Sequence, residues 1–93
     1  SIQRCRYRDG YEKPELMQPG EIYRLQFTLP PTGNFFAPGH RIRVDVSSSC
    51  WPEWEPNPNT GDPPGRYRRK IVATNSIYHD AEHPSHVLLP VIP

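Results

Sequence analysis

The stretch IYRLQFTL (residues 22–29) decides the fold class, because its side chains alternate in character at every second position. The apolar members share one side of an extended chain: Tyr23, Leu25, Phe27 and Leu29. A period of two is typical of a β-strand with one buried face. The stretch therefore predicts a strand whose apolar side chains point into a core.

The stretch RIRVDVSSS (residues 41–49) repeats this pattern with β-branched residues. Its apolar side consists of three aliphatic side chains: Ile42, Val44 and Val46. Arg43 and Asp45 lie on the other side, where their opposite charges suit pairing with charges on neighbouring strands. This stretch predicts a second strand of the same type.

Shorter stretches at residues 2–8, 68–74, 76–79 and 86–92 predict further strands. The chain contains 13 prolines, which remove backbone donors and disfavour helix interiors. The longest connection, CWPEWEPNPNTGDPPG (residues 50–65), holds five of them. The sequence therefore predicts an all-β sandwich of mostly antiparallel strands joined by long proline-rich loops.

The length of 93 residues predicts one domain, residues 1–93. Only 34% of the residues are hydrophobic, and the predicted strands are few for a closed sandwich of two sheets. An incomplete sheet exposes edges and an apolar face, which proteins rarely tolerate. We therefore expect the missing strands to come from another chain, another copy or a longer parent.

Charge, apolar stretches and cysteine content limit the classes of partner and the cellular compartment that we expect. The net charge is +1, so no nucleic-acid partner is expected. The local basic run RYRRK (residues 66–70) is typical of a solvated strand face. No stretch approaches the roughly 20 apolar residues that span a bilayer, so no membrane partner is expected. Free thiols are favoured for Cys5 and Cys50, which favours the cytoplasm, while a single bridge in a secreted protein stays open.

Serine catalysis by an α/β-hydrolase needs a G-x-S-x-G elbow between a strand and a helix, and this chain has no such motif. Ser47, Ser48 and Ser49 end a predicted strand and are not bracketed by glycines. Glycine-rich phosphate-binding motifs are also absent. We therefore expect no catalytic residue and no cofactor site in this chain.

The segment YHDAEHPSHVLLPVIP (residues 78–93) contains two histidines four residues apart, His79 and His83, a spacing that binds zinc when it lies on a helix. A proline follows His83 directly, so a helix that presents both rings is not expected. The simpler prediction is a turn in which Asp80 and Glu82 accept backbone N–H groups. Metal binding by His79 and His83 from a loop stays an alternative.

Loop side chains indicate an interface or a ligand-binding loop: Trp51, Trp54, Asn57, Asn59 and Tyr78. A loop of this length without secondary structure is usually functional or held in place by a partner. The aromatic rings suit stacking on a sugar, but a loop tryptophan in a small β domain more often covers a core or an interface. An interface is therefore favoured over carbohydrate binding.

Three motifs carry a resemblance to a known family: GHRIRVDVSSS (residues 39–49), NPNTG (residues 57–61) and IYHDAEHPSHVLLPVIP (residues 77–93). Residues 6–36 also fit the segment that precedes them. The chain resembles the C-terminal end of the CocE/NonD hydrolases, which include cocaine-esterase-like, α-amino-acid ester hydrolase-like and X-Pro dipeptidyl-peptidase-like serine hydrolases. It departs from that family at WPEWEP (residues 51–56), where acidic residues and proline replace basic positions.

The resemblance implies the C-terminal half of a jelly roll with galactose-binding-like topology. The family's Ser–His–Asp residues belong to an α/β-hydrolase domain that this chain lacks, so the parent, and not this chain, would hydrolyse esters, amides or X-Pro peptides. The implied partners are that catalytic domain or the missing half of the sandwich, with an architectural, active-site-wall or oligomer-contact role. A free-standing module that self-associates into a dimer or filament is the alternative.

Overall fold

The computed structural model describes residues 1–93, and regular secondary structure is sparse throughout. A 3-10 helix spans Cys5–Tyr7, and an isolated antiparallel bridge joins His79 to Pro84. The stretches predicted as strands form no regular β-ladder, so the all-β sandwich stays a prediction. None of the helical structure is long and apolar enough to cross a membrane.

The chain divides into two units, Ser1–Asp45 and Val46–Pro93, which we call the N-terminal and C-terminal units. The boundary falls inside the stretch 41–49, which the sequence predicts as one strand. Each unit is held by turns and side-chain hydrogen bonds, and neither contains a fully buried residue. The assignment of residues 1–93 to one domain stays a prediction.

The 3-10 helix in the N-terminal unit replaces part of the strand predicted at residues 2–8. Tyr7 N–H donates to the carbonyl of Arg4 at 2.9 Å, and Arg8 N–H donates to the carbonyl of Cys5 at 3.3 Å. The strand prediction is therefore wrong at Cys5–Tyr7. The Arg8 side chain supplies the physical reason, because its guanidinium donates to the Cys5 carbonyl at 3.1 Å and favours the turned backbone.

Arg8 also organises the loop that follows this helix, and its side chain is only 12% exposed. The guanidinium donates to the Glu15 carbonyl at 2.7 Å and lies 3.5 Å from the carboxylates of both Asp9 and Glu15. Its central carbon lies 4.8 Å from the ring centroid of Tyr23. Because a guanidinium carries five donors in a rigid planar fork, one side chain can serve all these partners at once.

Tyr23 closes the same loop from its other end. Its hydroxyl donates to Glu21 Oε2 at 2.6 Å and accepts from the backbone N–H of Gln18 at 2.9 Å. The hydrogen bond to the Glu21 carboxylate raises the pKa of Tyr23. Tyr23 is predicted to face a core, but the structure leaves it half-buried with its hydroxyl in a polar network.

Apolar side chains are incompletely covered in both units. Phe27 is 47% exposed and Val44 is 54% exposed, although alternation predicts that both face inward. None of the side chains in either unit is fully buried. The chain therefore orders its loops without closing a hydrophobic core.

Replacing Tyr23 by Phe should speed hydrogen exchange at the Gln18 amide by up to about fivefold, because this N–H loses its acceptor. NMR-detected exchange measures the effect residue by residue. Tyr11→Phe is the matched control, since the Tyr11 ring stacks on Tyr7 at 5.1 Å between centroids and Phe keeps that ring. Equal effects of the two variants at Gln18 would contradict the role of the Tyr23 hydroxyl.

Candidate functional site

One carboxylate organises the turn at residues 78–86. Asp80 Oδ1 accepts hydrogen bonds from the backbone N–H groups of Glu82 and His83, at 2.9 and 2.7 Å. Aspartate favours such turns because its short side chain reaches N–H groups two and three residues further on. The prediction that Asp80 caps this turn is confirmed, whereas Glu82 takes part through its own backbone N–H.

The electrostatics of this turn follow from the same contacts. The pKa of Asp80 is lowered from the ordinary value of 3.8, mainly by the hydrogen bond from the His83 backbone. The His83 side chain, with Nδ1 at 3.1 Å from Asp80 Oδ1, and the Glu82 backbone N–H lower it further. Each of these donors favours the ionised carboxylate, so the turn and the charge on Asp80 stabilise each other.

The residues predicted as alternative metal ligands have different contacts in this turn. His79 pairs through its backbone with Pro84, while the His83 ring lies 5.3 Å from the Tyr78 ring between centroids. Ser85 Oγ donates to the Tyr78 carbonyl at 2.5 Å and closes the turn at its base. No group of three or more His, Cys, Asp or Glu side chains is arranged to hold a metal ion.

The aromatic loop, residues 50–56, contains a hydrogen-bonded turn. Trp54 N–H donates to the carbonyl of Cys50 at 2.8 Å, and Cys50 Sγ lies 3.7 Å from Glu53 Oε2. The Trp51–Pro52 peptide bond is cis. Trp51 is 72% exposed, so its ring presents a large apolar surface outside the unit. Cys5 and Cys50 are both free thiols.

Asn57 and Asn59 form a polar clamp with Ile71, which we call the asparagine clamp. Asn57 Oδ1 accepts from Asn59 N–H at 3.0 Å, and Asn59 Nδ2 donates to the Ile71 carbonyl at 2.9 Å. Ile71 N–H donates in return to the Pro58 carbonyl at 2.9 Å. Asn59 has φ of 57°, a left-handed conformation that asparagine tolerates better than most residues. The clamp ties the NPNTG motif to the segment around residue 71.

The predicted interface or ligand residues therefore belong to three local structures. Trp51 and Trp54 lie in the aromatic loop, Asn57 and Asn59 in the asparagine clamp, and Tyr78 against His83. Their assignment to an interface or ligand site stays a prediction.

Sequence reasoning missed the cluster around Arg8 and Tyr23. The available signal was the group of acidic residues that follows Arg8 in a loop with prolines and glycines: Asp9, Glu12 and Glu15.

A match to a protein-family model decides the family of this chain. Residues 1–88 match the model described as the X-Pro dipeptidyl-peptidase C-terminal non-catalytic domain. The chain belongs to this family. The resemblance to the C-terminal end of the CocE/NonD hydrolases is thereby confirmed, as is the assignment to their non-catalytic C-terminal domain.

Curated relatives agree with this assignment. The chain is similar to a cocaine esterase from Rhodococcus sp., with 44% identity over 93 residues that cover 98% of this chain and 16% of that protein. It is also similar to two proteins named "Putative serine esterase", from Mycobacterium bovis and Mycobacterium tuberculosis, with 38% identity over 74 residues. These matches cover 80% of this chain and 10% of each esterase. No solved structure was found to match.

The turn at residues 78–86 should loosen in acid. A lowered pKa means that Asp80 stabilises the turn above its ordinary value of 3.8, and that this contribution is lost as pH falls through the lowered pKa. An NMR titration of the Glu82 and His83 amide shifts should therefore have its midpoint below 3.8. Asp80→Asn should abolish the step while keeping an oxygen acceptor, and Glu82→Gln should keep the step. A midpoint at or above 3.8 would contradict this account.

Two substitutions at Asn59 separate the backbone and side-chain contributions to the asparagine clamp. Asn59→Gly removes the bond to Ile71 but tolerates the positive φ, whereas Asn59→Ala removes the bond and strains the backbone. We expect Ile71 amide exchange to rise by about fivefold in Asn59→Gly and by a similar further factor in Asn59→Ala. Asn75→Ala is the surface control. A smaller rise in Ile71 amide exchange in Asn59→Ala than in Asn59→Gly would contradict the strain that we assign to the positive φ.

Proposed function

We propose that this chain is an architectural segment of a larger serine hydrolase of the CocE/NonD type. In this proposal it supplies half of a jelly-roll sandwich, and the remainder of the parent covers its apolar side chains. The parent hydrolyses an ester, an amide or an X-Pro peptide through an acyl-enzyme, with its catalytic residues outside this chain. The family match and the esterase relatives support the hydrolase class. The chain spans 16% of the cocaine esterase that it resembles, which supports a larger parent.

The uncovered surface is the observation that carries the proposal. No side chain in either unit is fully buried, and large apolar side chains stay more than a third exposed in both, among them Phe27, Val44 and Leu88. Apolar cover on this scale is typical of a permanent interface or of the inside of one domain, so the remainder of a parent chain fits better than a transient ligand.

The positions of the exposed apolar side chains support a missing layer. Phe27 and Val44 occupy alternate positions that share their sides with Leu25 and Ile42, and all four are more than a third exposed. A second sheet stacked on such a face would bury these side chains together. Each one that becomes fully buried contributes about 1.5–3 kcal/mol before the conformational entropy of ordering it is subtracted, so covering this face is a large favourable term in folding.

The aromatic loop is the part that we assign to the contact with the catalytic domain, where it would line the wall of the active site. Trp51 is an exposed, apolar anchor, and tryptophan is enriched among residues that dominate interfaces. Glu53 and Glu55 beside it give this contact an acidic character. An oligomer contact through the same apolar faces is the competing role, and the experiment below separates the two.

The test combines the isolated chain with a Rhodococcus cocaine esterase from which the homologous C-terminal residues have been removed. We expect the chain alone to bind a hydrophobic dye and to melt without a cooperative transition, because it lacks a core. We expect it to co-elute with the truncated esterase in size-exclusion chromatography and to restore hydrolysis of a p-nitrophenyl ester. The chain alone should show no turnover.

Neighbouring positions on residues 22–29 provide matched variants. Phe27→Asp would place a charge in the new core and should weaken co-elution at least tenfold, because an unpaired buried charge costs several kcal/mol. Gln26→Asp, predicted to face outward, should stay within about twofold of the original chain. A cooperatively folded monomer would overturn the proposal, and a stable homodimer that ignores the truncated esterase would assign the faces to self-association.

A further inference from the structure

All four lysine and arginine residues of the C-terminal unit lie in one five-residue segment, which we call the basic run (residues 66–70): Arg66, Arg68, Arg69 and Lys70. The side-chain carboxylates of this unit lie elsewhere in the sequence: Glu53, Glu55, Asp62, Asp80 and Glu82. Like charges at this spacing repel one another, so a partner that brings carboxylates would relieve this repulsion.

The ion pairs of the structure leave the basic run out. Those within 4.0 Å involve the cationic groups of Arg8, Lys13, Arg43 and His83. The four cations of the basic run are all exposed. Their guanidinium and ammonium groups are therefore available to carboxylates that another surface brings.

Backbone hydrogen bonds hold the basic run at both ends. Arg66 N–H donates to the Pro63 carbonyl at 3.1 Å, and Ile71 N–H donates into the asparagine clamp at 2.9 Å. Fixed ends lower the entropy lost when these side chains meet a partner. Ile71 and Val72 follow directly and are both exposed, so the basic surface borders an apolar one.

The charge of the whole unit favours a local group of carboxylates over an extended polyanion. Four cations against five side-chain carboxylates leave a formal charge of −1 on the unit. Nucleic acids and anionic bilayers spread their charge widely and attract proteins with net positive fields. At distances beyond the Debye length of about 8 Å, an extended polyanion would interact with the net charge of the unit, which is weakly negative. A small cluster of carboxylates beside an apolar patch on a protein surface would instead contact only the basic run and the apolar residues that border it.

We propose that the basic run binds a carboxylate cluster on the remainder of the parent hydrolase and so sets the orientation in which the C-terminal unit docks. This inference rests on the proposed function, because it names the chemistry of the same partner. Three arginines suit such a cluster, since each guanidinium can engage a carboxylate through two parallel hydrogen bonds. Charge complementarity of this kind mainly sets orientation and association rate, while the apolar faces supply the stability.

Binding of a short oligoglutamate peptide to the full chain tests the inference directly. Fluorescence anisotropy should show binding that weakens as salt is raised. The variant R68Q/K70Q should bind at least about fivefold more weakly, whereas R24Q/R41Q should stay within about twofold. Both variants remove two exposed cations, and only the first pair belongs to the basic run. Unchanged exchange at the Ile71 amide verifies that the clamp is intact.

Two further probes decide the class of partner: an oligouridylate of the same length and phosphatidylserine-containing vesicles. Weaker binding of both than of oligoglutamate supports the inference, and tighter binding of either overturns it. Absence of oligoglutamate binding, or equal losses in the two variants, also overturns it. The oligoglutamate measurements use the chain alone and are independent of the truncated esterase. If the truncated esterase failed to recruit the chain, the proposed function would be overturned, while carboxylate binding by the basic run would still be decided by the oligoglutamate experiment.

Discussion

The apolar side chains on alternate positions of residues 22–29 must leave water if this protein is to reach a stable fold. Ninety-three residues with 34% hydrophobic content and 13 prolines do not cover them. Leu25 and Phe27 remain well exposed, and no residue of the chain is fully buried. Hydrophobic burial is the dominant favourable term in folding, so the missing cover is the constraint that shapes the other features of the molecule.

Polar side chains supply the order that a core does not. Arg8 gathers the loop after the 3-10 helix, Asp80 closes the turn at residues 78–86, and Asn59 ties NPNTG to Ile71. Most of these contacts join groups close in sequence, where closing the loop costs little entropy. Such contacts stabilise little at exposed sites, because water competes for the same polar groups. They define local conformations, and we infer that a covering partner supplies the cooperative stability.

The family assignment and the missing cover of the apolar side chains both favour a chain that completes a larger structure. A non-catalytic C-terminal domain has no catalytic residue to supply, and its exposed apolar faces are suited to completing a larger structure. In the proposed docking, the aromatic loop and the basic run would add two chemically distinct contacts to those faces. Burial of the apolar faces would then give the affinity, whereas charge and an anchoring tryptophan would select the orientation.

The sequence by itself determined the family and the turns. Long motifs such as NPNTG identified the CocE/NonD class, and the Asp80 turn followed from local chemistry, because an aspartate acts on N–H groups only two and three residues away. Only the tertiary structure decided that Cys5–Tyr7 turns instead of extending, and that Tyr23 joins a polar network. Alternation over residues 2–8 reports which side chains could share a face. It carries no information on a guanidinium that reaches across a loop to Glu15 and Tyr23, since that contact depends on distances set by the folded backbone.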